Sequence, residues 1–304
     1  MNDPAPLPGT TAVDRPAGDS GEEHCPRCGA IASPALRDCV SCSADLGAPN
    51  VRAVRRPEEL AALDRRYDLA RTAASSQGVV AEFDSFVGAV QSRSHVVLAI
   101  DTHFARKLFS DSRALYVPYD RQVRSAVRLP AGSGNDTTRT MVGAALFGSY
   151  ADQIIYGVLS IGFAGLPTYG PVFIGLRDVA VQYRVSFLEE NSYRFFDRHK
   201  ITTKGGVPRG YKGAWESRGR LAGAKYATKI TAGQTDAVWP VLLVCPGASR
   251  DEDEFIEAHI HGVFNGEAVA SIGACRASLS RDERRDLEVL AEVVEGKHTI
   301  VDLV

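Results

Sequence analysis

Two short cysteine pairs, Cys25-Pro-Arg-Cys28 and Cys39-Val-Ser-Cys42, constrain this chain more than any other feature. The turn inside a CxxC pair aims both sulfurs to one side, and two such pairs ten residues apart complete four thiolates around one ion. Four short-spaced cysteines in a chain without a secretory signal point to metal rather than disulfides. The expected ion is structural Zn²⁺, held by Cys25, Cys28, Cys39 and Cys42. A closed four-thiolate site has no open position, so it stabilises a fold and performs no chemistry. His24 adjoins the site and is left out of the ligand shell; Gly29 relieves the first turn.

The module formed by residues 24–50 resembles a zinc ribbon, a family used for contacts with proteins and with nucleic acid. Around it, composition narrows the choices. A net charge of -2 excludes a globally basic nucleic-acid binder, so a protein or other macromolecular target is the favoured partner for the ribbon and nucleic acid the less favoured one. No apolar run reaches the roughly 20 residues needed to span a bilayer, and the first twenty residues lack the apolar core of a signal peptide. The expected setting is cytoplasmic, without membrane contact. Residues 1–23, rich in Pro, Gly, Ala and Thr, read as a disordered tail.

Residues 51–94 read as a helical linker. Pro57 with Glu58 and Glu59 suits a helix start, and Leu60, Leu63, Tyr67 and Ala70 give its apolar stripe. Gln77-Gly78 breaks the pattern before a second stripe of Val79, Val80, Phe83, Phe86, Val87 and Val90, which should pack on the first. Arg52, Arg55, Arg56, Arg65 and Arg66 form either a basic patch or, more simply, a solvated helix face.

Residues 95–304 read as one α+β domain with a largely antiparallel sheet. The expected strands are 95–101, 172–176, 179–188, 238–245 and 255–264. Residues 136–163 are expected to be helical with a break near Gly148. A Gly-rich loop over 204–215 leads to a helix near 216–230, and Ser280 caps a C-terminal helix.

The candidate chemistry lies in FIEAHIHG, 255–262. In a strand, Glu257, His259 and His261 share one face and Ile256, Ala258 and Ile260 the other. That row is a catalytic set, a metal site or a solvated rim; metal is the weakest reading, because no further ligand stands nearby. LEENSY (188–193) offers Glu189 and Glu190 as acid/base groups or, preferably, a polar turn capped by Asn191 or Ser192.

The stretch GLPTYGPVFIGLRDVAVQYRVSFLEENSY (165–193), followed by FIEAHIHG, resembles bacterial members of the ADP-ribosyltransferase toxin-like fold over roughly residues 112–270. The matching features are a Tyr-Gly turn before a strand, an Arg-x-Ser element and a later strand bearing Glu. The resemblance implies an NAD⁺-using transferase with Glu257 as the catalytic carboxylate at the nicotinamide ribose. It implies Arg184 and Ser186 as supports, Tyr169 as the nicotinamide stack, and Arg121 or Arg124 as the diphosphate ligand. Phe255 stands where arginine-modifying members carry Glu or Gln, so arginine is not the implied acceptor. The competing expectation is a non-catalytic adaptor that uses the ribbon and the basic helix for contacts.

Overall fold

The computed structural model describes residues 22–130, 132–202, 206–276, 279–296, 298 and 300–302; the expected tail up to residue 21 lies outside them. In chain order the elements are α1 (Pro49–Val54), α2 (Pro57–Ser76), α3 (Val80–Arg93), β1 (Ser94–Ile100), α4 (Thr102–Ser110), α5 (Tyr119–Arg124), α6 (Ser133–Phe147), β2 (Ile154–Ile161) and β3 (Val172–Leu176). They continue through α7 (Asp178–Val181), β4 (Val185–Leu188), α8 (Ser192–Arg198), β5 (Lys212–Ala214), α9 (Arg218–Tyr226) and α10 (Trp239–Leu243). The last are β6 (Glu257–His261), β7 (Val269–Ala274), α11 (Arg281–Val294) and β8 (Ile300–Asp302).

The strands form one open sheet in the order β5-β4-β6-β2-β1-β3-β7-β8, antiparallel except for the last pair. The α+β architecture with a largely antiparallel sheet is therefore as the sequence implied. Alternation along β1 sorts its two faces. Val96, Leu98 and Ile100 enter the main core, which also holds Leu63 of α2, Phe83 and Phe86 of α3, Leu221 of α9 and Trp239 of α10. Phe86 is its pivot, with Tyr226 and Trp239 both edge-on to its ring at 5.9 and 5.3 Å. Val97 turns to the opposite face with Val158, Leu166, Phe173 and Phe255. The helices of residues 51–94 thus share the core of the sheet they precede, and α2 and α3 pack on each other as well as on α9.

Three segments depart from the expected pattern. Residues 136–163 are α-helical to Phe147; Gly148, with φ +58, breaks the α-helix, a 3-10 helix runs over Gly148–Gln153, and β2 follows. Ile154, Ile155, Val158 and Leu159 are helix-like in spacing. They belong to a central strand buried on both faces, where alternation is erased. Residues 238–245 hold the short helix α10 rather than a strand, with Trp239 and Leu243 buried one turn apart and Val241 64% exposed. Pro240 cannot donate to a strand ladder, whereas the first turn of a helix leaves its missing N–H unneeded.

The third departure is 179–188, which reads as one alternating strand and is instead α7 followed by the four-residue β4. Between β3 and β4 the chain must pass β1, β2 and β6, four strand spacings of about 4.8 Å. An extended continuation of β3 cannot make that passage. Asp178 anchors the crossing through His95 Nδ1 at 2.9 Å, and Val179 and Tyr183 remain more than two-thirds exposed.

Candidate functional site

The cysteine module is built from one turn used twice. In the first half Gly29 N–H donates to Cys25 O and Cys25 N–H to Ala30 O; in the second Ser43 N–H donates to Cys39 O and Cys39 N–H to Ala44 O. Gly29 and Ser43 both take positive φ, +73 and +54, and His24 pairs with Ile31 as Asp38 pairs with Asp45. HCPRCGAI and DCVSCSAD are therefore two copies of one knuckle fourteen residues apart. Sγ atoms of Cys25 and Cys42 lie 3.7 Å apart, as do those of Cys28 and Cys39, and all four fall within 4.8 Å of one another. A tetrahedron with Zn–S near 2.3 Å has S···S edges of about 3.8 Å, so the donor set fits structural zinc. Backbone N–H groups of Ser41 and Cys42 hold the Cys39 thiol below its usual range, whereas hydrogen bonds among the four thiols push that of Cys28 above its own.

The module is seated on the sheet. Arg52 donates to Ser33 O and Leu36 O and pairs with Glu23, and Ala35 packs beside Phe147, Tyr150 and Ile154. Asn50, 2% exposed, donates its side-chain amide toward Arg184 O, Ser186 Oγ and His259 O across β4 and β6. The arginines of the supposed basic face are largely spent: Arg55 pairs with Glu216, and Arg66 with Glu189 and Gly210 O.

On the face opposite the main core a cavity of about 390 Å³ opens over β1, β2 and β6. Its floor includes Val97, Ala99, Gly157 and Val158. Glu257 enters from β6, opposite Val158 in register, and is 7% exposed. Its Oε2 accepts from Ser192 N at 2.7 Å. His259 Nε2 lies 3.4 Å from the same oxygen without the alignment of a hydrogen bond. Tyr169 forms part of the wall; its hydroxyl accepts from Asn191 Nδ2 at 3.0 Å, and its ring meets Phe255 edge-on. Burial, with the charges of Glu257 and Asp253, pushes the Tyr169 hydroxyl well above its usual range. Burial and Glu257 do the same to Tyr156.

FIEAHIHG therefore has the two faces expected, but neither is a wet rim. Ile256, Ala258 and Ile260 are in the main core, while His259 is 2% exposed with the Phe147 ring 4.9 Å away. Glu257 and Tyr169 meet at the cavity. Arg184 and Ser186 do not line it. Arg184 stands at the His261 end of β6, about 13 Å along the strand from Glu257, donating to Ala180 O, His261 O and Val263 O. Ser186 lies under Asn50. Arg121 and Arg124 are exposed on α5, the latter beside Asp152 at 3.4 Å, and neither reaches the cavity. Glu189 is bound by Arg66 and Arg198, and Asn191 caps α8 through Tyr193 N and Arg194 N, so LEENSY is a structural turn.

Three arginines that the sequence reading did not single out line the cavity instead: Arg128, Arg139 and Arg250. Each guanidinium lies over a tyrosine ring, Arg250 at 4.9 Å from the Tyr169 centroid and Arg139 at 4.3 Å from that of Tyr119. Arg250 arrives on a loop fixed by Asp253, which accepts from Gly247 N and Thr168 Oγ1. No local pattern marks these positions: Arg128 follows α5, Arg139 is on α6 and Arg250 is on that loop, and only the tertiary fold brings the three to one cavity.

The sequence matches no known protein-family model and no curated protein. Among the described residues no helix is long and apolar enough to cross a membrane.

His261 supplies a pH test of this face. Burial, followed by the charges of Arg37, Arg184 and Arg121, lowers its pKa from 6.5 to about 4. Between those values the unfolded chain binds more protons than the folded one, so stability is full above pH 6.5 and falls as pH drops toward 4. With partial exposure screening the ring, the loss is about 1–2 kcal/mol. His261→Gln should flatten the stability curve between pH 6.5 and 4 by that amount in urea titrations; parallel wild-type and variant curves would show that the ring does not titrate this way.

Proposed function

We propose that the cavity is a nucleotide site at which NAD⁺ is cleaved and its ADP-ribosyl group transferred to a macromolecular acceptor. The observation that carries this reading is the meeting of Glu257 and Tyr169 in one cavity of ligand size, ringed by arginines. In the reaction the bond between ribose C1′ and the nicotinamide nitrogen breaks and its electron pair leaves with neutral nicotinamide. The acceptor's lone pair forms the new bond to C1′, and the acceptor's proton passes to solvent. Glu257 places negative charge where the ribose becomes oxocarbenium-like. Tyr169 offers a ring face to the base. Arg184 and Ser186 have a supporting role, keeping β4 and β6 in register.

The acceptor is brought by the cysteine module, and protein is favoured over nucleic acid because the module presents Ile31, Leu36 and Val40 to solvent. Nicotinamide release by purified protein, with cell lysate as acceptor, tests the reaction. Glu257→Gln should reduce it by about 10²–10³-fold, while Val40→Asp should reduce labelling of acceptor protein and spare release. Protein that folds and holds zinc yet consumes no NAD⁺ would end the transferase reading and leave a non-catalytic adaptor.

A further inference from the structure

The cavity is not symmetric about Glu257, and its asymmetry assigns an orientation to the ligand. Glu257 lines the cavity together with two tyrosines, Tyr156 and Tyr169, and its charge acts on both hydroxyls. On the Tyr169 side the wall combines Phe255 and Leu166 with the polar Asn191 and Asp251, and among the described residues its cation is already engaged: Arg250 Nε donates to Thr168 O at 3.1 Å. On the Tyr156 side two cations converge. The guanidinium carbons of Arg139 and Arg128 lie 4.3 and 5.2 Å from the Tyr119 ring centroid, and Arg139 also lies 5.8 Å from that of Tyr156.

The two differ in what holds them. Arg128 has the Asp101 carboxylate at 3.6 Å. Arg139 is half-buried on α6 and, among the described residues, contacts only ring faces, with neither a carboxylate nor a hydrogen-bond acceptor. A guanidinium stacked on rings keeps its edge N–H groups free in a planar fork that matches phosphate oxygens. Desolvating such a cation without an anion costs free energy, and an anionic ligand removes that cost.

We propose that Arg139, seconded by Arg128, is the phosphate clamp of the cavity. A nucleoside 5′-diphosphate then lies with its phosphates toward Tyr119, its ribose over Glu257 and its base against the wall formed by Tyr169 and Phe255. This deepens the nucleotide reading given above and rests on it, but requires no turnover.

Calorimetric titration of the full chain with ADP, adenosine and inorganic pyrophosphate tests it. ADP should bind at least tenfold tighter than adenosine, weaken with added salt, and lose at least tenfold in affinity on Arg139→Ala. Arg139→Lys should recover part of the loss, and Arg121→Ala and Arg124→Ala should bind as wild type. Pyrophosphate that binds at Arg139 without adenosine contributing would still place the clamp there. Equal affinity for ADP and adenosine overturns the proposal, as does unchanged ADP affinity in an Arg139→Ala protein that melts normally. If that variant does not fold, Arg139→Gln reads the same contact. A clamp without NAD⁺ consumption leaves this assignment standing and removes the transferase reaction; NAD⁺ consumption with ADP affinity indifferent to Arg139 does the reverse.

Discussion

Stripping the metal, by chelation or by Cys39→Ser, is expected to unfold residues 22–48 and to lower the melting temperature of the whole chain by about 10 °C. The first part follows from how little else holds the module. Its regular pairing is two isolated bridges, His24 with Ile31 and Asp38 with Asp45, and its buried residues are few. Structural zinc contributes about 10–16 kcal/mol to folding such a unit, far more than that surface supplies. The second part follows from the attachment. Loss of the knuckles frees the Arg52 contacts to Ser33 and Leu36 and loosens the seat of Asn50, whose amide serves acceptors on β4 and β6. Leaving those groups unpaired costs about 1–3 kcal/mol each, which corresponds to the stated shift at about 2–4 °C per kcal/mol. Calorimetry with and without chelator, alongside limited proteolysis, measures both. Metal-free protein with an unchanged melting point and an uncut N-terminus would show that the module is held by packing alone.

Gly170→Ala is expected to destabilise the chain by about 3–5 kcal/mol and to abolish ligand binding at the cavity. Gly170 has φ +153, which side-chain-bearing residues avoid, and a Cβ there would meet the Ile100 carbonyl carbon at 2.5 Å and its oxygen at 2.6 Å. Those are backbone atoms of β1, so no rotamer change relieves them; the turn itself must lift. Tyr169 precedes this residue and would be carried off the cavity wall. Urea unfolding and ADP titration report the two effects. A variant that melts and binds as wild type would mean that the turn yields at little cost.

What was legible in the sequence follows from how local each signal is. The cysteine cluster is encoded in four spacings and two turns, so its members stand out, and its duplication is readable once HCPRCGAI is laid on DCVSCSAD. The Ser280 cap is equally local: its Oγ accepts from Glu283 N, and Glu283 accepts in return from Ser280 N. The Tyr-Gly turn marked a backbone position that only glycine fills. The strand of Glu257 was visible from alternation, yet its burial was not, because His259 is polar in sequence and covered by Phe147 only after α6 folds over β6. Arg184 illustrates the opposite error. It has the residue type of a cofactor ligand, but its guanidinium ties together three backbone carbonyls, and only the crossing of the chain between β3 and β4 fixes that use. The cavity arginines come from three separate loops and helices, and nothing in their neighbours announces a shared destination.

The seat of Asn50 also sets an order of events during synthesis. Its acceptor on β6 belongs to His259, 209 residues later in the chain. At about 5–20 residues per second the ribosome takes about 10–40 s to deliver it. For most of that interval the four cysteines can come together, while Phe86 of α3 waits for its ring partners Tyr226 and Trp239. The nascent chain therefore carries its complete cysteine module ahead of an apolar helical surface that only the last third of the polypeptide can cover.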